Sequence, residues 1–140
     1  MQAKLLIGGL AAIAVIATAA YADTVSYKAD LNGSQEAPPV AGGGAGNAEL
    51  TYDTASKLLS WKVTFSGLTG PATAAHLHGP AEVGKNAGVA VPIPGTASPL
   101  EGSATLTDAQ AADLTSGKWY VNVHTAANKS GEIRGQVVKK

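Results

Sequence analysis

The chain has 140 residues, with ten Lys and Arg against ten Asp and Glu, three His and no Cys. That length suits one domain, and a formal charge of zero gives no basic footprint for nucleic acid or an anionic membrane. The missing Cys excludes thiolate nucleophiles, iron–sulfur clusters, haem attachment through C-x-x-C-H, and Cys-ligated zinc or blue copper.

Within Met1–Ala22 the only charge is Lys4, followed by the apolar run Leu5–Ala19 and the ending Ala20-Tyr21-Ala22. A positive start, an apolar stretch and a small-x-small ending predict a secretory signal cleaved after Ala22. The competing reading is a retained anchor, but the apolar run is about 15 residues, short of the roughly 20 that span a bilayer. Residues 23–140 then form a single mature domain of secreted or periplasmic setting, with no membrane partner after cleavage.

Val25, Tyr27, Ala29 and Leu31 alternate with polar residues, which predicts a half-buried strand. Glu36–Val40 and Gly42–Gly44 are too rich in Pro and Gly for a regular element. Asn47–Tyr52 and Leu59–Phe65 read as strands joined by a turn at Asp53–Lys57, a hairpin with its apolar side on one core. Ala72–His78 follows, then a loop at Gly79–Gly88, then short strands at Val89–Ile93 and Gly102–Leu106. Thr107 with Gln110 has capping-box spacing and Gly117 supplies a stop, which places one short helix between them. Trp119–Thr125 and Glu132–Val138 close the chain around a turn at Asn128–Gly131. Trp61 and Trp119 fall on strands and are expected in or near the core rather than as a sugar platform. The expected fold is all-β: a Greek-key-like β-sandwich of seven or eight strands with at most one short helix.

All three histidines fall in two of these strands. His76 and His78 flank Leu77, so their side chains project to the same face. His124 shares a face of its strand with Tyr120 and Asn122, while Val121 and Val123 take the other. Neighbouring strands would bring a third imidazole to the pair and ligate one metal ion through nitrogen alone, leaving a position open. Copper fits best, because Cu(II) tops the affinity order for such donors. The competing reading is a structural or surface H-x-H pair of the kind that many strands carry by chance.

Four other polar residues are possible supports of the site. Glu132 and Arg134 are expected on one face of the last strand, either orienting His124 and attracting an anion or forming an ordinary ion pair. Glu36, before Pro38-Pro39, is either a carboxylate ligand or a tie for its loop. Asn122 either holds the His124 ring or serves buried backbone groups. No Ser-His-Asp set and no phosphate-binding loop is present.

These segments resemble the CHRD domain, the module named after chordin. The resemblance rests on Leu31–Val40, Gly67–Gly70, Ala75–Ala81, Gly117–Thr125 and Gly131–Gln136, in family order over about residues 24–138. It implies a β-sandwich and a secreted setting, and little about activity. The His76-Leu77-His78 strand is also similar to part of the copper site of copper–zinc superoxide dismutase, which implies copper ligation by His76, His78 and His124. The further histidines of the dismutase's bridged metal pair are missing, so the resemblance by itself does not imply dismutase chemistry. Three roles follow as expectations: a secreted copper-binding protein, a metal-free module that binds another protein or matrix, and a copper-only dismutase-like enzyme.

Overall fold

A computed structural model describes residues 11–18, 21 and 23–140. The expected cleavage point after Ala22, and most of the expected leader, lie outside the described residues. No helix among the described residues is long and apolar enough to cross a membrane.

Among the described residues nine strands and one α-helix follow in chain order, with a 3-10 turn at Gly33–Gln35: β1 (Thr24–Asn32), β2 (Ala45–Asp53), β3 (Leu58–Ser66), β4 (Ala72–His78), β5 (Val89–Ile93), β6 (Leu100–Thr105), α1 (Asp108–Thr115), β7 (Tyr120–Thr125), β8 (Ile133–Gln136) and β9 (Val138–Lys139). The hydrogen-bonded order is β5-β4-β7-β8-β1-β2-β3-β6, with β9 added beside β1. Every pairing is antiparallel, and β8 meets β1 through a single registered pair, Asn32 with Arg134. The junction, extended along β1 by β9, joins two halves of one sheet, β5-β4-β7-β8 and β1-β2-β3-β6. The chain crosses between them from β3 to β4, from β5 to β6 and from β6 through α1 to β7, which gives the nonsequential, Greek-key-like order.

Alternation builds the core. Tyr27, Ala29 and Leu31 of β1, Ala48, Leu50 and Tyr52 of β2, and Leu59, Trp61 and Val63 of β3 all turn inward from one half. Ala75, Leu77, Val91, Ile93, Val121, Val123 and Ile133 meet them from the other. Both tryptophans belong to this core, as their strand positions predict. The capping box of α1 is also present: Thr107 Oγ1 accepts from the Gln110 backbone at 3.1 Å, and Gln110 Oε1 accepts from the Thr107 backbone at 2.9 Å. Gln110 Nε2 then donates to the Ala90 carbonyl at 3.1 Å, tying the helix to β5 while Leu114 enters the core.

The expected strand Glu132–Val138 is interrupted at Val137, which turns into the core while its N–H donates to the Trp119 carbonyl at 2.9 Å in the register of β7 on β8; β9 then pairs with Tyr27 and Lys28 in the register set by Arg134 and Asn32. This break raises the strand count to nine. Gly135 allows the junction of the halves: a Cβ there would lie 2.5 Å from the Asp30 carbonyl oxygen of β1. Gly135→Ala is therefore expected to cost about 1–3 kcal/mol by overpacking, measured by urea unfolding. Gly43→Ala, where a Cβ meets nothing within 4 Å, should shift stability by no more than about 0.5 kcal/mol.

Candidate metal centre

The register of β4 on β7 pairs Ala74 with His124, His76 with Asn122 and His78 with Tyr120. Leu77, Val121 and Val123 face the core, so these polar side chains and the three histidines share the opposite face. That face is covered as well. Every residue of β7 is buried, and only His76 of the three histidines is half-exposed.

One ligating atom from each of His76, His78 and His124 lies within 4.8 Å of the others. The closest approach is His76 Nδ1 to His124 Nε2, at 3.0 Å. His124 Nδ1 lies 2.8 Å from the Lys129 carbonyl oxygen, which can only accept. Nδ1 therefore carries the proton, and the Nε2 lone pair points at His76. A backbone carbonyl that fixes the tautomer of one ring nitrogen while the other is offered is the usual support of a metal-bound histidine.

His78 is held differently. Its Nδ1 lies 3.0 Å from the Ala87 carbonyl oxygen and its Nε2 2.9 Å from Asn122 Oδ1, so both ring nitrogens face oxygen acceptors. Its ring stacks on Tyr120, with centroids 4.8 Å apart and planes 8° from parallel. Burial, then the neighbouring His124 and His78, holds the His76 imidazole below the ordinary histidine pKa. Burial likewise lowers His78, against the raising effect of its hydrogen bonds to Ala87 and Asn122. Neutral imidazoles are the form that a metal needs.

Arg134 is 1% exposed. Its guanidinium donates to the Lys85 carbonyl at 2.7 Å and to Asn86 Oδ1 at 3.2 Å, with its carbon 3.5 Å from the Tyr120 ring centroid. It therefore fastens the loop of residues 79–88, whose Ala87 carbonyl holds His78, and its burial keeps it from an incoming anion. The expected pairing of Glu132 with Arg134 is not formed. Glu132 lies in a bend before β8 and turns to Thr69, Thr125 and Asn128. Four donor groups on these residues draw its carboxyl below the usual carboxylate range, against the raising effect of burial. Glu132 reaches His124 only through the turn it braces, in which Asn128 precedes Lys129. Asn122 touches His78 rather than His124, contrary to its expected role of holding the latter ring.

Glu36 is 6% exposed, and its Oε1 has no hydrogen-bond partner among the described residues. Burial pushes its carboxyl up to about 7, although Arg134 and Asn122 face it and favour the charged form. It is not among the three residues whose ligating atoms converge.

The sequence left three supports unnamed: the Lys129 and Ala87 carbonyls and the stacked Tyr120. Tyr120 shares the alternation of Asn122 and His124, so its face was readable. The two carbonyls belong to loops and carry no side-chain signal.

The CHRD domain model matches residues 27–137. The chain belongs to the CHRD family. CHRD domains occur in extracellular proteins. No curated protein and no solved structure matches this CHRD chain.

The titrations of Glu36 and of His76 and His78 act on stability with opposite signs. Glu36 keeps its proton in the folded state up to about pH 7 but loses it near its ordinary 4.5 when unfolded. Its contribution therefore falls as pH rises through that window and is constant above it. The lowered histidines resist protonation when folded, so their contribution is lost as pH falls below about 6.5. Glu36→Gln removes only the first effect. Its stability relative to the unsubstituted protein should rise steadily between pH 5 and 7.5 in urea unfolding; a difference independent of pH would contradict the assignment.

Proposed function

We propose that this CHRD protein binds one copper ion through His76 and His124, with His78 as third ligand, in a secreted or periplasmic setting. The observation that carries the reading is the 3.0 Å approach of His76 Nδ1 to the tautomer-locked Nε2 of His124. Two imidazole nitrogens bound to one ion at about 2.0–2.1 Å each come to a similar separation. The donor set fits the ion: three imidazoles on one rigid sheet face, with no thiolate and no carboxylate among them. Rings held by strands lose little freedom on binding.

Three nitrogen donors favour Cu(II) over the other first-row divalent ions and leave a coordination position open. Two of the rings are only 8% exposed, which suits holding or handing on an ion more than turning over a freely diffusing substrate. The apolar run after Lys4 and the extracellular occurrence of CHRD domains support export.

Titration of the apo protein with Cu(II) by calorimetry tests the reading, with the triple His76→Ala, His78→Ala, His124→Ala variant alongside. The expected result is one site per chain, removed in the variant, with a far-ultraviolet spectrum showing that the variant is folded. Equal binding by both proteins would return the histidines to a structural hydrogen-bonded cluster. A search for a protein or matrix partner would then follow.

A further inference from the structure

Tyr120 stands in the middle of a column of three buried side chains. β7 lies between β4 and β8 in the sheet, so Tyr120 is flanked by His78 from one neighbour and by Arg134 from the other. The His78 ring stacks on the phenol with centroids 4.8 Å apart, and the guanidinium carbon of Arg134 lies 3.5 Å from the centre of the same phenol ring. His78 is the registered partner of Tyr120, and Arg134 is the partner of Asn122, two residues further along β7. The charge of Arg134 is thus held one ring away from His78 without touching it.

That charge is not neutralised where it stands. Its acceptors, the Lys85 carbonyl and Asn86 Oδ1, are both uncharged. Arg134 forms no ion pair among the described residues. Glu36 is the carboxylate that faces it, and burial works against the charged form of that group. Arginine does not shed its proton in a protein. A buried cation without an anionic partner is costly. A loop can be tied by an uncharged amide, so fastening residues 79–88 does not by itself call for a charge here.

We propose that Arg134 biases the copper site toward Cu(I), through the positive charge that it holds behind the Tyr120–His78 stack. The proposal rests on the metal reading above, with His78 as a ligand. A fixed positive charge repels Cu(II) more than Cu(I), because the two ions differ by one unit of charge. At a separation of about 10 Å and an effective dielectric of about 20, that difference changes the ratio of the two affinities by about tenfold. Tyr120 sets the separation: its ring keeps the guanidinium away from the ligands and fills the space that screening water would take. The three imidazoles are uncharged donors and leave the bias of Arg134 unopposed.

The ratio of Cu(I) affinity to Cu(II) affinity separates a charge effect from a loop effect. It is measured on the full chain at pH 8, by competition with a Cu(I) chelator under anaerobic reducing conditions and with a Cu(II) chelator in air. The proteins compared are the unsubstituted chain, Glu36→Gln, and the double Glu36→Gln, Arg134→Gln variant, with thermal melts verifying the apo fold of each. The Glu36 carboxyl, pushed up to about 7, is ionised at pH 8 and opposes the guanidinium. Glu36→Gln is therefore expected to raise the ratio, by up to about tenfold, and adding Arg134→Gln to lower it again by about tenfold. Loosening of the loop alone weakens both oxidation states together. A ratio in the double variant equal to or above that of Glu36→Gln overturns the proposal. If the double variant does not fold, a Glu36→Gln ratio equal to or below that of the unsubstituted chain overturns it instead. Single His76→Ala and His124→Ala variants that bind copper as well as the unsubstituted chain defeat the metal reading, a result distinct from tight binding with an unmoved ratio.

Discussion

The pairing of β4 with β7 is the constraint on which the site depends. It sets Ala74 opposite His124 and His76 opposite Asn122, so His76 and His124 sit on a diagonal across the two strands. Alanine at position 74 leaves the space above His124 free for the His76 ring to lean across, and the nitrogens meet at 3.0 Å. A slip of one residue would send every histidine into the core and Leu77, Val121 and Val123 to the other face. The apolar core thus holds the polar cluster in register, because burying those three side chains is what forbids the slip.

Around this pair the outer face is roofed by loops that polar side chains fasten. Arg134 and Tyr120 hold the 79–88 loop, and Glu132 holds the 128–131 turn through Asn128. Each loop contributes one carbonyl to one histidine, Ala87 to His78 and Lys129 to His124. The charged residues therefore act at one remove: they place backbone oxygens, and the oxygens hold the imidazole rings. Such positioning is specific in geometry without putting a charge beside the imidazoles. Glu36 is the exception in that its carboxyl is buried with an unpaired oxygen, the kind of local cost that folds retain at functional places.

Much of this was legible in the chain. The alternation of Leu59, Trp61, Val63 and Phe65, and of Val121 and Val123 with their polar neighbours, marked both strands and faces. H-x-H on a strand put His76 and His78 side by side before any neighbour was known, and Thr107 with Gln110 announced the helix cap. What stayed hidden depends on contacts between distant segments. Period-2 reasoning placed Glu132 beside Arg134 because it extended the strand one residue too far; the bend before Ile133 turns the carboxylate to Thr69, 63 positions away in the chain. Asn122 was paired with the nearer histidine of its own strand, whereas the register gives it to His78 across the sheet. The interruption at Val137, which turns into the core between β8 and β9, likewise leaves no mark in the period-2 pattern.

The claim at the centre of this account is that His124 is locked with its proton on Nδ1 and its lone pair toward His76. Long-range proton–nitrogen correlation of the apo protein, labelled with nitrogen-15 in histidine and held at pH 7.5, reads that tautomer directly. The account predicts a protonated Nδ1 and an unprotonated Nε2 at His124. A proton on Nε2 would contradict it, since the ring would then present a donor rather than a ligand at the point where the imidazoles converge.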